Sequence, residues 1–530
     1  MPAHRQAHFY ELLAAVVTGL LTLAFYIFVS LKDTLHGIST DAAVYVLMAD
    51  FYSPYRPHDF TFVGHLFETY AYPPLYPLVL GLLGGGTASP VANYAIGSVF
   101  LAVSMSLIFV WVARHGADFV TAAVTTAVIA LSPAALFVAL GVFSEPLYLA
   151  LSFGAFVTLT ARAPDARHWH TAALLFGLSA VTRSVGIFAV ASFVLYWFLQ
   201  TRGRRFQGAP VLALALPTCW TAVKWSQGWK ASYIGSMFEE GAGGALTDTI
   251  EQIPVNLKAL WYHLVRSFDL LGGSHVAAAL VPLLALAAFT FIRRLRAGEL
   301  DALYVGIYVA VIVVWPYPNH MRRFLLMILP FIVAYWMWGA VALAQRARFA
   351  FLPPLVQWAT AAVMVSIILP STLFFTVQIQ QYAGTAQADK PKIAAWYGRD
   401  SQAESLAAIE FGSRLLNAIA DTGRHVPDGA CVTSTMPEFV QLHARRKSLR
   451  PPRAGPGNAD ILRHVEHCPY VLMVRAALFP STGYAFYYPL RELQHQLEVL
   501  HQVPLDVNEA GSEPLLILAR FTGRSVQGDE

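Results

Sequence analysis

A mostly helical protein that crosses the membrane many times, with a small water-soluble α/β domain at its C-terminal end, is the fold class this sequence predicts. Three observations predict it. Of 530 residues, 56% are hydrophobic and only 13% charged, where a soluble globular protein carries about 25% charged residues. The deficit is confined: from Leu12 to about Gln378 apolar blocks alternate with short charged loops, and from Tyr382 onward the composition is that of soluble protein. Within the apolar region, arginines recur in alternate loops. The expected domains are a membrane region, 1–381, and a soluble region, 382–530.

A window of about 20 apolar residues is needed to span the hydrocarbon core. It predicts about 11 transmembrane helices, near 12–31, 91–113, 118–138, 145–162, 170–183, 185–200, 209–224, 276–292, 301–316, 324–344 and 352–378. The first lacks a small-residue cleavage site and is followed by more spans, which makes it a signal anchor rather than a removed signal peptide.

Orientation follows from the positive-inside rule. With the N-terminus inside, the inner loops contain Arg5, Arg114, Arg162 and Arg167, Arg202, Arg204 and Arg205, Arg293, Arg294 and Arg296, and Arg346 and Arg348. The outer loops 32–90, 225–275 and 317–323 are mixed in sign. The C-terminal domain then lies outside, in the periplasm of a bacterium, and the chain belongs to the inner membrane. Outer juxtamembrane helices are expected in the long loops.

The net charge of +4 comes mainly from these short loops. No soluble surface combines clustered Lys/Arg with interleaved aromatics, so nucleic-acid binding is not expected. Arg445-Arg446-Lys447 reads as a solvated turn between strands. The apolar blocks contain no Asp, Glu, Lys or Arg between their ends, whereas ion-coupled transporters need ionisable groups or broken helices near the midplane. The candidate charges Asp41, Glu145, Arg183, Lys224, Arg322 and Arg323 all stand at membrane boundaries. That pattern suits chemistry at the outer interface on a lipid-linked substrate.

The first outer loop and its lead-in are acidic, with Asp33, Asp41, Asp50, Asp59 and Glu68. Asp50 and Asp59 read as solvated or capping residues. Asp41 stands where a juxtamembrane helix begins, and Asp is a favoured N-cap. Glu145 precedes a proline at a helix start, where the dipole favours acids. Arg322 and Arg323 run against the usual charge bias on the outer side, although interfacial basic residues commonly snorkel. His36, His58, His65, His263 and His275 have no compact metal-ligand spacing, so no cofactor is required and a divalent metal is unsupported. Trp220, Trp225, Trp229, Tyr233 and Phe238 read as an interfacial belt. The loop 225–275, with Gly241-Ala242-Gly243-Gly244, reads either as a lid or as a loosely packed loop.

In the soluble region, Glu404 to Ile419 has helical periodicity, and strands are expected at Ala430–Ser434, Val471–Val474 and Leu515–Leu518. Cys431 and Cys468 share this outer domain, so a disulfide is open to them. Cys219 lies in a span as a small apolar residue.

The order of these features resembles a known family. A first span is followed by an outer loop with Ser39-Thr40-Asp41-Ala42-Ala43-Val44-Tyr45 and by Tyr72-Pro73-Pro74-Leu75-Tyr76-Pro77. Phe143-Ser144-Glu145-Pro146 precedes a later span, Thr182-Arg183 ends an apolar block, and Arg322-Arg323-Phe324-Leu325-Leu326 starts a late one. Together they look like the GT-C glycosyltransferases, in the bacterial group similar to protein O-mannosyltransferases and the lipid A aminoarabinose transferase. The resemblance implies a GT-C-like membrane domain, inversion at the donor carbon, and Asp41 as the catalytic residue. It also implies a further acid matched by Glu145. Protein O-mannosyltransferases have an Asp-Glu pair where this chain has Asp41-Ala42, which counts against mannosyl transfer to protein. The aminoarabinose transferase has a Lys at the start of the Tyr72–Pro77 segment, and no Lys stands here. His65 or an arginine elsewhere would then supply its phosphate contact. Tyr45, His65, Tyr72 and Tyr76 are the substrate-loop candidates.

The chemistry can be reasoned separately. A sugar on a polyprenyl phosphate has a good leaving group, so the needs are a base for the acceptor hydroxyl and cations for the departing phosphate. Asp41 is the candidate base, and Arg322, Arg323, His320 and Arg183 are the candidate phosphate ligands, since guanidinium grips phosphate bidentately. The expected partners are a polyprenyl-phosphate-linked sugar, an outer-face glycan or glycolipid acceptor, and the bilayer. Two other readings stay open: a lipid or glycan translocase without catalysis, and a polysaccharide ligase or polymerase using diphosphate-linked donors.

Overall fold

The computed structural model describes residues 2–30, 40–55, 66–67, 72–115, 119–161, 164–203, 205–229, 245–269, 274–315, 321–346, 352–384, 414–451, 459–474, 493–504 and 514–523. Two compact units result. One comprises 1–33, 67–83 and 91–386; the other comprises 34–66, 84–90 and 387–530.

The first unit is a helix bundle. Every expected span coincides with a helix or, once, with a broken pair, although several of the described helices are shorter than the apolar blocks they occupy. Among the described residues, five helices are long and apolar enough to cross a membrane, or six if the bent pair counts as one span. Glu145–Thr158, Ala166–Ala180, Gly186–Thr201 and Leu300–Val313 are apolar but run only 14 to 16 residues, short of the roughly 20 that hydrocarbon thickness demands. The block expected at 118–138 breaks into Phe119–Ala130 and Pro133–Ala139, bent by 57°. Ser132 caps the second piece by accepting from the Ala135 N–H at 3.2 Å, and Pro133 at its start has no N–H to leave unsatisfied.

Helix Met321–Arg346 is the axis of the bundle. In its apolar stretch 83% of residues are buried, against 17% in the first helix, as an all-round apolar sequence requires of a central element. Phe331 on this axis packs with Trp111, Phe153, Phe156 and Tyr304. Near one end of the same helix lies a buried ion pair. Arg294 grips Asp301 through two N–H···O bonds of 2.7 Å, and Tyr335 donates to the same carboxylate at 2.6 Å. Trp338 lies 4.9 Å under the guanidinium. The turn at Gly298, with φ of 70°, brings the two charges together.

Within the expected outer loop 225–275 one juxtamembrane helix is described. The stretch Ala245–Phe268 is a helix of 24 residues that packs on Met321–Arg346 and Pro133–Ala139. It is anchored by buried Asn256, which donates to the carbonyls of Val313 (2.9 Å) and Trp315 (2.7 Å). Those carbonyls sit at a helix end that has no intrahelical partner for them. The glycines 241, 243 and 244 lie outside the described residues. Trp229 stacks on Phe67, while Trp225 is largely exposed, as an interfacial residue would be. Tyr233 and Phe238 lie outside the described residues. Cys219 is free and exposed.

The second unit is built on a five-stranded sheet in the order β2-β1-β3-β5-β4. Here β1 is Cys431–Ser434, β2 Lys447–Leu449, β3 Tyr470–Val474, β4 Leu497–Pro504 and β5 Pro514–Phe521. β1 pairs parallel with β2 and β3, and β5 runs antiparallel to β3 and β4. Parallel neighbours need crossovers, which the helical turns at 437–444 and the helix Ala459–His467 supply. Ile419 from a helix at 414–422 joins Val432, Val440, Leu472, Leu516 and Leu518 in the core. The rest of the helix expected from Glu404 lies outside the described residues. Arg446 is no solvated turn residue: it donates to the carbonyls of Gly423 (2.7 Å) and Val426 (2.8 Å) and so pins the loop after helix 414–422.

Cys431 and Cys468 form a disulfide 37 residues apart in sequence, with Cα atoms 4.7 Å apart. Closing a loop of that length in the unfolded chain is worth about 2–4 kcal/mol. Reduction of the full-length protein, or a Cys431→Ser/Cys468→Ser double variant, should lower the stability of this unit by that amount. Protease cleavage within 414–523 followed across a temperature ramp would show it; an unshifted midpoint would mean that the link is energetically idle.

Candidate functional site

Three of the boundary charges converge inside the helix bundle. Pro146 cannot donate a hydrogen bond and its ring fixes φ, so the chain enters helix Glu145–Thr158 with Glu145 as its first residue. The Glu145 side chain is fully buried. Its Oε1 accepts from Arg183 Nη1 at 2.5 Å and from Arg323 Nε in a still shorter contact.

Each arginine is placed by a local device. Arg183 lies in the turn between helices Ala166–Ala180 and Gly186–Thr201. That turn folds back so closely that a Cβ on Gly186 would meet the Ser179 carbonyl oxygen at 2.5 Å, which leaves glycine as the residue that fits. Ser144 Oγ accepts from the same guanidinium at 3.3 Å. Arg323 occupies the first turn of Met321–Arg346, with its Cζ 4.3 Å from the centre of the Phe143 ring, an arrangement that attracts a cation to the aromatic face. The two arginine side chains keep 10% and 14% of their surface accessible, whereas the carboxylate keeps none. Two guanidiniums on one carboxylate make a positive cluster, and the carboxylate is the buried member that holds the two arginines together.

The segment with the Pro-Pro signature reaches this neighbourhood. The Leu75 N–H donates to the Val181 carbonyl at 3.0 Å, two residues before Arg183. Tyr72 and Tyr76 are both buried. One turn along from Glu145, Tyr148 shares a 2.9 Å hydrogen bond with Tyr304, whose ring lies 5.5 Å from that of Tyr308. Phe143 and Ser144 entered the sequence reading only as part of the Phe143-Ser144-Glu145-Pro146 motif, and this tyrosine group was not singled out from the sequence. Tyrosines spaced four apart within an apolar helix were the available signal, because their hydroxyls must find partners when buried.

Two of the other expected site residues belong to the second compact unit, and several lie outside the described residues. Asp41 is half-buried in the first turn of helix Thr40–Tyr52, in the other compact unit, and Tyr45 is buried on the same helix. That helix packs against 437–444. Burial pushes the Tyr52 hydroxyl up to about 12, so it stays neutral. Asp50 is not solvated: it accepts from the Thr87 N–H at 3.0 Å and from the Thr87 hydroxyl, and Arg445 donates to the Thr87 carbonyl at 3.4 Å. His65, His320, Asp59 and Glu68 lie outside the described residues, as does the side chain of Arg322.

The fold is that of the GT-C membrane proteins. Among solved structures, the chain aligns end to end with ArnT from Cupriavidus metallidurans bound to undecaprenyl phosphate, at 12% identity and a TM-score of 0.52, covering 97% of this chain and 99% of that one. ArnT is the lipid A aminoarabinose transferase, so the expected fold class holds. ArnT in its apo state aligns at 14% identity and a TM-score of 0.48, covering 95% and 97%. The oligosaccharyltransferase AglB from Archaeoglobus fulgidus, in complex with an inhibitory peptide and a dolichol-phosphate, aligns at 11% identity and a TM-score of 0.47, covering 91% and 72%. No protein-family model matches the sequence, and no curated protein matches it.

Proposed function

We propose that this protein is a membrane glycosyltransferase that moves a sugar from a polyprenyl-phosphate donor to an acceptor hydroxyl at the outer face of the bacterial inner membrane. The observation that carries this reading is the Arg183–Glu145–Arg323 cluster in a chain of GT-C fold. When the sugar–oxygen bond breaks, negative charge builds on the departing phosphate, and preorganised cations at low dielectric stabilise it most effectively. Glu145 is then a positioning residue rather than a second proton-transferring acid, since its carboxylate is buried between the two guanidiniums. His320 and Arg322 adjoin Arg323 in sequence and are assigned to the same phosphate.

Asp41 is assigned as the general base that takes the acceptor proton while the hydroxyl attacks the anomeric carbon, with inversion. This assignment rests on the resemblance of Ser39-Thr40-Asp41-Ala42-Ala43-Val44-Tyr45 to the first-outer-loop segment of the GT-C glycosyltransferases. The ArnT structure with undecaprenyl phosphate supports the donor class. The acceptor is read as a glycolipid, a lipid-linked glycan or a surface polysaccharide. The alternating arginine loops support a cytoplasmic N-terminus, and the Cys431–Cys468 disulfide fits an oxidising periplasm for the C-terminal region.

The test is radiolabelled transfer by purified protein from a panel of polyprenyl-monophosphate sugars, run beside their diphosphate-linked counterparts. Transfer from at least one monophosphate donor is expected. Transfer from none, or from diphosphate donors alone, would overturn the proposal.

A further inference from the structure

Outside the bundle, in the second compact unit, three side chains form a cluster that the glycosyl-transfer reading does not use. Asp421 belongs to helix 414–422, His425 to the loop that follows it, and His501 to strand β4. One ligand atom from each lies within 4.8 Å of the other two. Asp421 Oδ2 is 3.4 Å from His501 Nε2 and 3.9 Å from His425 Nε2. The imidazole rings stack 4.4 Å apart and only 15° from parallel, so that both Nε2 atoms turn toward the same carboxylate oxygen.

We propose that Asp421, His425 and His501 form a binding site for a divalent transition metal, with zinc as the ion, fastening helix 414–422 to β4. Zinc bound tetrahedrally at 2.0–2.1 Å separates its donors by about 3.3 Å. The carboxylate–imidazole separations of 3.4 and 3.9 Å lie near that value, and binding requires the two stacked rings to turn out of parallel so that both Nε2 lone pairs meet one ion. Two imidazoles and one carboxylate leave the fourth position to water, and this donor set excludes calcium and magnesium, which take oxygen ligands.

Three features show that the arrangement is built rather than accidental. His501 Nε2 is buried and makes no hydrogen bond to any described residue, an unusual state for a polar atom. The register between β4 and β5 slips between Val499 and His501, and a bulge of that kind re-aims a strand side chain. Neighbouring contacts help to order the ligands: Arg446 pins the 423–426 loop through the Gly423 and Val426 carbonyls, and the exposed Arg424 pairs with the other carboxylate oxygen of Asp421 at 3.0 Å. Partners of this kind orient metal ligands.

The experiment uses full-length protein without a histidine tag, stripped by chelator in detergent and titrated with zinc against a chromogenic zinc indicator. Cobalt substitution serves as a spectroscopic check. One zinc per chain at micromolar or lower concentration, with a rise in melting temperature, is expected. Asp421→Asn, His425→Ala and His501→Ala should each weaken binding at least about tenfold and abolish the cobalt absorption, whereas His168→Ala should change neither. Folding of each variant is checked by its melting temperature without metal. Absence of stoichiometric binding by the wild type, or equal affinity in wild type and all three variants, would overturn the site. Neither result depends on whether the protein transfers sugar.

Discussion

Glu145→Ala is expected to destabilise the protein by about 3–5 kcal/mol and to remove the proposed transfer activity along with that stability. The energetic reason is asymmetric. An intact buried ion pair contributes little net, because burial strips water from both partners, but deleting one partner leaves the other charges buried without compensation. Here a single deletion removes the carboxylate that two guanidiniums, Arg183 and Arg323, share, and both are about nine-tenths covered. The melting temperature of the detergent-solubilised protein is the first measurement, and a fall below about 1 kcal/mol equivalent would show that the cluster is not the strut described above. Glu145→Gln separates packing from charge: it keeps the volume and one acceptor oxygen but lets the arginines repel each other. If it retains most of the stability while raising the KM for the polyprenyl-phosphate donor, the carboxylate acts by positioning the arginines. A restored melting temperature in Glu145→Gln/Arg323→Gln would confirm the coupling as a double-mutant cycle reads it.

What was legible in the sequence follows the physics of each element. Lipid demands long uninterrupted apolar stretches, so the helices could be located, and β1, β3 and β5 were visible because they are largely buried, with β3 and β5 mostly apolar. β4 was not anticipated, and β2 only as an unlocated strand beside the Arg445–Lys447 turn. β4 lies at a sheet edge with exposed Glu498, Val499 and Gln502, and an edge strand with a bulge has no clean alternation to read. The break at Leu131-Ser132-Pro133 was legible in principle, since Ser before Pro is a helix-start signal, but the apolar window averaged over it.

The site divides the same way. Glu145, Arg183 and Arg323 could each be picked out as charges beside lipid, because that placement is costly without a partner. Their convergence could not, since it depends on how three separate helix starts pack. Asp301 and Arg294 escaped notice as ordinary boundary charges, although a glycine turn between opposite charges seven residues apart was a readable hint of a pair. The Asp421–His425–His501 cluster was hidden more completely. Its third member arrives from a distant strand, and no short metal motif spans such a separation.

The Asp41→Asn variant is expected to transfer sugar at least about a hundredfold more slowly while folding as the wild type does. General base catalysis typically contributes 10²–10⁴-fold, and the amide is the same size as the carboxylate but cannot take a proton. The structural cost should be small. Asp41 is half-buried in the first turn of helix Thr40–Tyr52, where a negative charge near the helix N-terminus contributes about 0.3–1 kcal/mol. Asn forfeits that charge term but remains a good residue at a helix start. The two explanations of Asp41 therefore predict opposite pairs of measurements. A catalytic base gives a large loss of kcat with an unshifted melting temperature. A helix-start residue gives a small drop in melting temperature with kcat preserved, and a translocase would likewise tolerate the change. Single-turnover transfer from the monophosphate donor found active with the wild type, measured beside thermal unfolding of both proteins, distinguishes these outcomes. Undiminished transfer by Asp41→Asn would remove Asp41 from the mechanism and leave the arginine cluster to be tested by itself.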